Sequence, residues 1–215
     1  VYGFCQDQTG TILYETVQKA VDEARATGAQ YVVALAHLGD AGITQAWTSE
    51  AVIANTSGID AMIDGHSHEQ YVRSVKNKEG KEILLTQTGT KFQSFGKLTL
   101  NLQTGTFAAE TVSGYPTKDD GVTAQMQRLE EEYGALLEEI IGRSEVDLIS
   151  QDKETGEEIV RRSETNLGDF CADAYRISTG ADVAILNGGG IRGSIEKGEV
   201  TYGDLLNVQP FGNSI

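Results

Sequence analysis

YVVALAHLGD at residues 31–40 and IDAMIDGHSH at residues 59–68 are two apolar runs that each lead into a histidine. Both have the length of a strand, and the first is fully apolar, which predicts a strand buried on both faces of a covered sheet. Helical spacing of apolar residues precedes each run, over residues 9–27 and 48–56, and Thr9 is placed to cap the first helix. The order helix, strand, helix, strand predicts an α/β domain, whose ligands usually bind where the strands end.

A β-rich stretch and a long helix follow. The runs around KNKEGK, at residues 76–81, predict a hairpin, and residues 95–112 alternate apolar and polar side chains like a meander with one face toward solvent. Residues 119–141 carry one apolar stripe at helical spacing, which predicts a packing surface, with Gly142 as the C-cap. The stripe consists of Val122, Met126, Leu129, Tyr133, Leu136 and Ile140. A long helix of this kind is typical of a connector between two domains.

The last third of the chain has the pattern of a second α/β segment. Residues 163–180 predict a capped helix that ends at Gly180. The apolar run ADVAIL, at residues 181–186, predicts a buried strand before a glycine-rich loop. A short helix and a turn containing Pro210 follow that loop.

Composition argues against two kinds of partner. The net charge is −15, from 17 basic and 32 acidic residues, and without a basic cluster we expect no binding to a nucleic acid polymer. No apolar run approaches the roughly 18 residues of a membrane helix, so no membrane span is expected in this segment. Cys5 and Cys171 are far apart and are interpreted as two buried thiols. The chain begins at Val1 without a methionine, and we interpret it as an internal segment of a longer protein.

The three histidines of the chain form the first candidate site. His37, His66 and His68 all follow predicted strands that can share one sheet edge, and Gly65 frees the backbone for a tight turn. Each histidine alone is more typical of a satisfied polar residue, but together they indicate a metal site. Three imidazoles suit a single zinc with an open position. Diverging rings would instead serve two metals, with carboxylates supplied from elsewhere.

AHLGD and DGHSH, with the flanking GID and TQTG, resemble the second half of the calcineurin-like metallophosphoesterase fold in its 5'-nucleotidase branch. This resemblance implies half of an αββα sandwich and two divalent metal ions such as zinc or manganese. It implies that His37 and His66 hold one ion and that His68 reaches the other. The family's leading Asp-x-His, bridging Asp and Gly-Asn-His are absent. We therefore expect the catalytic residues upstream of Val1 and expect this segment alone to be inactive.

NGGGIR at residues 187–192 is the second candidate site. No Lys-Ser/Thr follows its glycines, so it is not a phosphate-binding P-loop, and it lacks the dinucleotide fingerprint. The loop allows close approach of a ligand, and Arg192 offers planar donors beside it. Phe211, on a turn, is either a core residue or a stacking face for a base.

SETNLGDFCADA, NGGGIRGSI and VQPFGN, in this order, resemble the C-terminal substrate-binding domain of the 5'-nucleotidases. The resemblance implies that Asn187, Gly189 and Arg192 border the nucleoside and its phosphate, and that Phe211 stacks on the base. It implies a further arginine before ETNLG, for which Arg161 fits the spacing better than the adjacent Arg162.

Together the resemblances divide the chain into a metallophosphoesterase part (1–117), a connector helix (118–142) and a substrate-binding part (143–215). They imply an extracytoplasmic enzyme of nucleotide catabolism that hydrolyses nucleotide phosphate esters. The alternatives within the family are a 2',3'-cyclic-nucleotide phosphodiesterase and a UDP-sugar hydrolase. The alternative of another class is a module that binds metal or nucleotide without catalysis.

Overall fold

The computed structural model describes residues 7–40, 44–156 and 158–212. The chain divides into two compact units, Val1–Thr117 and Lys118–Ile215, and the predicted mixed α/β fold class is confirmed. The helices are α1 (Thr11–Ala26), α2 (Ser49–Asn55), α3 (Asp120–Leu137), α4 (Asn166–Thr179) and α5 (Tyr202–Val208). The strands are β1 (Val33–Leu35), β2 (Ala61–Asp64), β3 (Gln70–Lys76), β4 (Glu82–Thr88), β5 (Ser94–Asn101), β6 (Thr106–Ser113), β7 (Ile140–Ser144) and β8 (Gly198–Thr201).

A four-stranded sheet in the order β1-β2-β4-β3 organises the described part of the first unit. β1, β2 and β4 are parallel, whereas β3 pairs antiparallel with β4 as the predicted hairpin. Because β1, β2 and β4 are parallel, their carboxyl ends lie along one edge, and the residues that follow them meet there. The core of this unit consists of Leu13, Val21, Val52, Ile53, Ile59, Met62, Ile83 and Leu85.

Two details of the first unit differ from the sequence predictions. The sequence predicts burial of β1 on both faces, but β1 is an edge strand, and Leu35 is 84% exposed. Apolar sequence therefore did not ensure burial on both faces at β1. Helix α1 begins after Gly10, whose φ is 79°, and Thr9 is not its cap. The carboxylate of Asp7 instead accepts a hydrogen bond from the backbone N–H of Ile12, at 2.7 Å.

The predicted meander forms a sheet of its own. β5 and β6 pair antiparallel in a two-stranded sheet, with Gly105 at a φ of 69° in the connecting turn. That angle favours glycine, because other residues are strained there.

Asp60, just before β2, joins three segments of the first unit. Its carboxylate accepts hydrogen bonds from Lys81 Nζ and from the backbone N–H of Val32, both at 2.9 Å, and from Arg25. Burial raises the pKa of Asp60, but the bonds from Lys81, Val32 and Arg25 outweigh it and hold the pKa below the usual value of 3.8.

We expect the free energy of unfolding to depend on this carboxylate in acid. A carboxyl group whose pKa is lower in the folded state stabilises the protein above its unfolded pKa, and that contribution is lost as the pH falls through the folded pKa. Asp60→Asn should lower the free energy of unfolding by about 1–3 kcal/mol at pH 7. It should also make the free energy of unfolding depend less steeply on pH below pH 3.8. Urea denaturation of both proteins across this pH range measures the effect, and equal slopes would contradict it.

The second unit packs α4 and α5 around a small core. Leu167, Ile191 and Val208 are at most 2% exposed, and they cluster with Cys171 and Ile195. Helix α4 ends at Gly180, as predicted, with the glycine in the left-handed region. The Cys171 thiol is buried, and burial raises its pKa. Cys5 lies outside the described residues.

The long helix differs from its prediction in two ways. It ends at Leu137, and Gly142 is not its cap but lies in β7, which pairs antiparallel with β8. The β-branched Ile140 and Ile141 favour a strand there, and pairing with β8 provides one. The predicted packing stripe is exposed, because no residue of α3 is buried. None of the helices in the described ranges is long and apolar enough to cross a bilayer.

The predicted strand at residues 181–186 is also absent. The segment belongs to no strand, and Val183 and Ile185 are 78% and 97% exposed. A strand requires a neighbour to share its backbone hydrogen bonds, and no ladder within the described residues includes this segment.

Candidate functional site

His37 and His66 lie side by side at the carboxyl edge of the first unit's sheet. Their rings are 5.1 Å apart between centroids, at an interplanar angle of 65°. Gly65 permits this approach, because a Cβ at that position would lie 2.9 Å from Nδ1 of His37. Both histidines are exposed, so their rings can be reached from solvent.

Asp64, the last residue of β2, holds the loop that follows β1. Its side chain is almost fully buried. Oδ1 accepts a hydrogen bond from the backbone N–H of Leu38 at 2.9 Å, and Oδ2 accepts one from Gly39 at 3.0 Å. The hydroxyl of Ser49 donates to Oδ2 as well. The backbone just after His37 is therefore bound to the neighbouring strand.

Gln87, near the end of β4, holds the loop that follows β2. Its Oε1 accepts a hydrogen bond from the backbone N–H of Glu69 at 2.9 Å and another from the Ser67 hydroxyl at 3.1 Å. Its Nε2 lies 3.0 Å from Ser67 Oγ and 3.2 Å from the Tyr71 hydroxyl. The loop that carries His66 and His68 is thus bound to a buried amide.

Backbone strain is concentrated in the loops at this edge. Positive φ angles at non-glycine residues occur, among the residues described, at His66 (85°), His68 (60°), Lys91 (55°) and Phe92 (56°). Each such residue costs roughly 1–2 kcal/mol, and such strain tends to persist at functional sites. The loop after β2 is bonded to the loop after β4, because the Gly89 N–H donates to the carbonyl of Glu69 at 2.7 Å. Sequence reasoning did not identify Lys91 or Phe92, since no motif marks them.

An acidic cluster, also not identified from sequence, lies beside the histidine loops. Arg73 Nη2 is 3.1 Å from Asp40 Oδ2, and Arg73 Nε is 3.0 Å from Glu50 Oε1. Burial raises the pKa of Asp40, but hydrogen bonds with Glu69, Ser67 and Arg73 outweigh it and lower that pKa. The bond to Asp40 is the main cause of a raised pKa at Glu69. Three carboxyl groups around one guanidinium favour cations over anions here.

The fit to a metal is partial. His37 and His66 offer two adjacent imidazoles, the commonest metal-binding side chain. The described residues contain no group of three His, Cys, Asp or Glu side chains that could hold an ion. The structure therefore pairs two of the three predicted ligands and does not group His68 with them.

The second unit contains a cavity of about 650 Å³. Four of the predicted substrate residues line it: Asn187, Gly189, Arg192 and Phe211. The guanidinium carbon of Arg192 lies 5.2 Å from the centroid of the Phe211 ring, within the range of a cation–π contact. The other walls are formed by Tyr175, Thr179, Ala181, Val183, Ala184, Ile185, Leu186, Gly190 and Gln209. Sequence reasoning missed Tyr175 and Gln209 as pocket residues, although Gln209 stands in the QPFGN motif.

Close packing explains the glycines of the loop. Asn187 Oδ1 accepts a hydrogen bond from Gly189 N–H at 3.1 Å, which closes a short 3₁₀ turn. A Cβ at Gly188 would lie 2.5 Å from the carbonyl oxygen of Val160, and one at Gly189 would lie 2.8 Å from Arg161 Nη1. The guanidinium of Arg161 therefore lies against the loop, and its Nε is 2.9 Å from Glu158.

A sequence model of the 5'-nucleotidase C-terminal domain matches residues 140–215. The crystal structure of a 5'-nucleotidase precursor from Thermus thermophilus matches 93% of this chain, with a TM-score of 0.66 and 29% identity. Residues 140–215 therefore belong to the 5'-nucleotidase C-terminal domain family, and the chain as a whole is similar to a 5'-nucleotidase.

Two further similar proteins are matched over smaller fractions of their own lengths. An endonuclease of Bacillus subtilis is 30% identical over 208 residues, which cover 92% of this chain and 16% of that protein. A 5'-nucleotidase of Vibrio parahaemolyticus is 50% identical over 58 residues, or 27% of this chain and 10% of that protein. The chain spans 42% of the Thermus thermophilus structure. It therefore spans less than half the length of each of these proteins.

Proposed function

We propose that the protein carrying this chain hydrolyses nucleotide phosphate esters in the manner of a 5'-nucleotidase. The observation that carries the proposal is the cavity of the second unit, where Asn187, Gly189, Arg192 and Phe211 line one space. Its volume, about 650 Å³, lies within the usual range of small-molecule sites. In this proposal residues 1–117 contribute to the metal-binding domain, residues 118–142 connect, and residues 143–215 bind the substrate.

The substrate contacts follow from the chemistry of the cavity walls. The aromatic face of Phe211 is half exposed and is available to stack on a base. Arg192, above the same ring, can donate to ribose or phosphate oxygens. Arg161 is not one of the described residues that line the cavity, but its guanidinium lies against Gly189, which does line it. This placement favours Arg161 over Arg162 as the contacting arginine.

The metal proposal rests on the histidine edge. His37 and His66 would hold one divalent ion, and His68 would reach a second. Bound ions of this kind lower the pKa of water and stabilise charge on phosphoryl oxygens. The adjacent rings and the acidic surroundings support cation binding. We also propose an extracytoplasmic location, in keeping with the precursor form of the matched Thermus thermophilus protein.

Metal-dependent phosphate release tests the proposed function. The protein that carries this chain is assayed with AMP in the presence of Mn²⁺ or Zn²⁺, after treatment with a chelator, and after the metal is restored. We expect activity that the chelator abolishes and added metal recovers. UDP-glucose and 2',3'-cyclic AMP, assayed in parallel, distinguish the two sister activities. Binding of adenosine or metal without turnover of any of these substrates would instead favour the non-catalytic module.

Phe211→Ala is expected to raise the KM for AMP by roughly 5- to 150-fold, because loss of base stacking costs about 1–3 kcal/mol. The value of kcat should change little, since the stack is present in both the bound substrate and the transition state. Steady-state kinetics measure the effect. Phe170→Ala is the matched control, because Phe170 is a similarly exposed phenylalanine outside the cavity wall. An unchanged KM in Phe211→Ala, or an equal change in both variants, would contradict the assigned role.

A further inference from the structure

We propose that Asp64 and Gln87 are positioning residues that fix the spacing of the histidine rings before any metal arrives. The inference rests on the proposed metal-binding function of His37 and His66. In this proposal neither Asp64 nor Gln87 contacts metal or substrate. Each acts through the loop that it holds.

The pattern of polarity along the strands supports this assignment. β2 and β4 present apolar side chains to the core through most of their length, including Met62, Ile83 and Leu85. Asp64 and Gln87 are polar and only 7% and 1% exposed. Burying polar groups is unfavourable unless they are hydrogen-bonded. A function that requires bonds at these points explains why apolar residues do not occupy them.

Each side chain bonds to the loop of the neighbouring strand. Gln87 on β4 binds the segment Ser67–Glu69 after β2, through the backbone N–H of Glu69 and the Ser67 hydroxyl. Asp64 on β2 binds the segment Leu38–Gly39 after β1. The loop that carries His37 is therefore held by β2, and the loop that carries His66 is held by β4.

The register of the sheet completes the frame. Asp64 and Gln87 are direct partners in the parallel pairing of β2 with β4. The anchor of the His37 loop and the anchor of the His66 loop thus lie on neighbouring strands at one level of the sheet. The backbone pairing of β2 with β4 sets the distance between these anchors, and we infer that this distance determines the spacing of the two histidine rings. Sites held in this way bind metal more tightly, because the ligands need not be ordered on binding.

The strained backbone requires such an anchor. His66 and His68 both have positive φ angles, which a free loop would relax. Between them, Ser67 bonds to Gln87, and directly after them Glu69 donates its backbone N–H to the same side chain. The bonds to Gln87 therefore lie on both sides of the strained residue His68.

Nuclear magnetic resonance of the full 215-residue chain, free of metal, tests the positioning directly. The wild type should show contacts between the ring protons of His37 and His66. Gln87→Met and Asp64→Asn keep side-chain size but remove donors or acceptors, and both should weaken or abolish these contacts. Ile83→Val is the matched control, because it alters the buried face of β4 without touching either loop. It should retain the contacts.

Cobalt binding provides the second readout on the same proteins. Titration with Co²⁺, followed by its visible absorption, should show affinity lowered by about 10- to 100-fold in Gln87→Met and Asp64→Asn, and unchanged in Ile83→Val. Ring contacts and Co²⁺ affinity that match the wild type in both variants would overturn the inference while leaving the metal site intact. Lost ring contacts in a chain that binds no Co²⁺ would support the positioning role and contradict the metal proposal.

Hydrogen exchange covers the case in which a variant fails to fold. In the wild type, the backbone amides of Leu38, Gly39 and Glu69 should exchange slowly, because each is bonded to one of the two buried side chains. Exchange of these amides at the rate of unbonded loop amides would overturn the inference without any substitution.

Discussion

In the protein that carries this chain, replacing His37 with alanine is expected to lower the kcat/KM of the proposed metal-dependent phosphate release by at least about 100-fold. Partners that merely orient a metal ligand already cost about 10- to 100-fold when they are removed, and the loss of a ligand itself should cost more. The ring of His37 lies 5.1 Å from that of His66. His66→Ala should therefore have a similar effect, because both imidazoles would serve one ion.

The loss should reflect metal binding and not unfolding. His37 is exposed, so its removal should change the free energy of unfolding by no more than about 0.5 kcal/mol. Gln70→Ala is a matched control, because Gln70 is an exposed residue at the same edge whose side chain bonds to Thr111. The double variant His37→Ala/His66→Ala should lose little more than either single variant, since the residues act as a unit. Full additivity of the two losses would contradict a shared ion.

The local elements of the fold could be predicted because their signals are local. Helix α4 ends at Gly180, where glycine adopts a left-handed angle, and β2 follows from the short apolar segment Ala61–Ile63. His37 and His66 could be assigned to one edge because parallel strands end together. The resemblance of NGGGIR and VQPFGN to a substrate-binding domain grouped Asn187, Arg192 and Phe211, and they line one cavity.

Burial of individual surfaces could not be predicted in the same way. The stripe of α3, Val183 and Ile185 of the run at residues 181–186, and Leu35 are all apolar in sequence and exposed in the structure. An apolar pattern reports a preference for burial, whereas actual burial depends on which other segments pack against that surface. Gly142 illustrates a second limit, because a glycine after a helical stripe suits a helix cap and a β-strand irregularity equally well.

The supporting polar residues escaped prediction for a different reason. Asp64 and Gln87 stand at the ends of apolar runs, where a polar residue ordinarily marks the transition from strand to solvent. Their bonds run to residues 26 and 18 positions away, between Asp64 and Leu38 and between Gln87 and Glu69. No local pattern reports a bond across that separation. The register of β2 with β4 had to be known before the side chains could be paired with their loops.

Leu167→Ala is expected to lower the free energy of unfolding by about 2–5 kcal/mol, the cost of removing a buried leucine and leaving a cavity. Leu167 is fully buried in the core of the second unit, in a cluster with Ile191 and Val208. Ile191 immediately precedes Arg192, so the cavity would open beneath the loop that borders the proposed nucleoside site. Urea denaturation measures the loss of stability.

A second substitution on the same helix separates burial from helix propensity. Ile177 also lies on α4 but is 70% exposed, and Ile177→Ala should change the free energy of unfolding by no more than about 0.5 kcal/mol. Alanine is the better helix former in both cases, so propensity favours both variants and cannot explain a loss confined to Leu167. Equal losses in the two variants would contradict the assigned core, because the leucine would then contribute no more than a solvent-facing side chain.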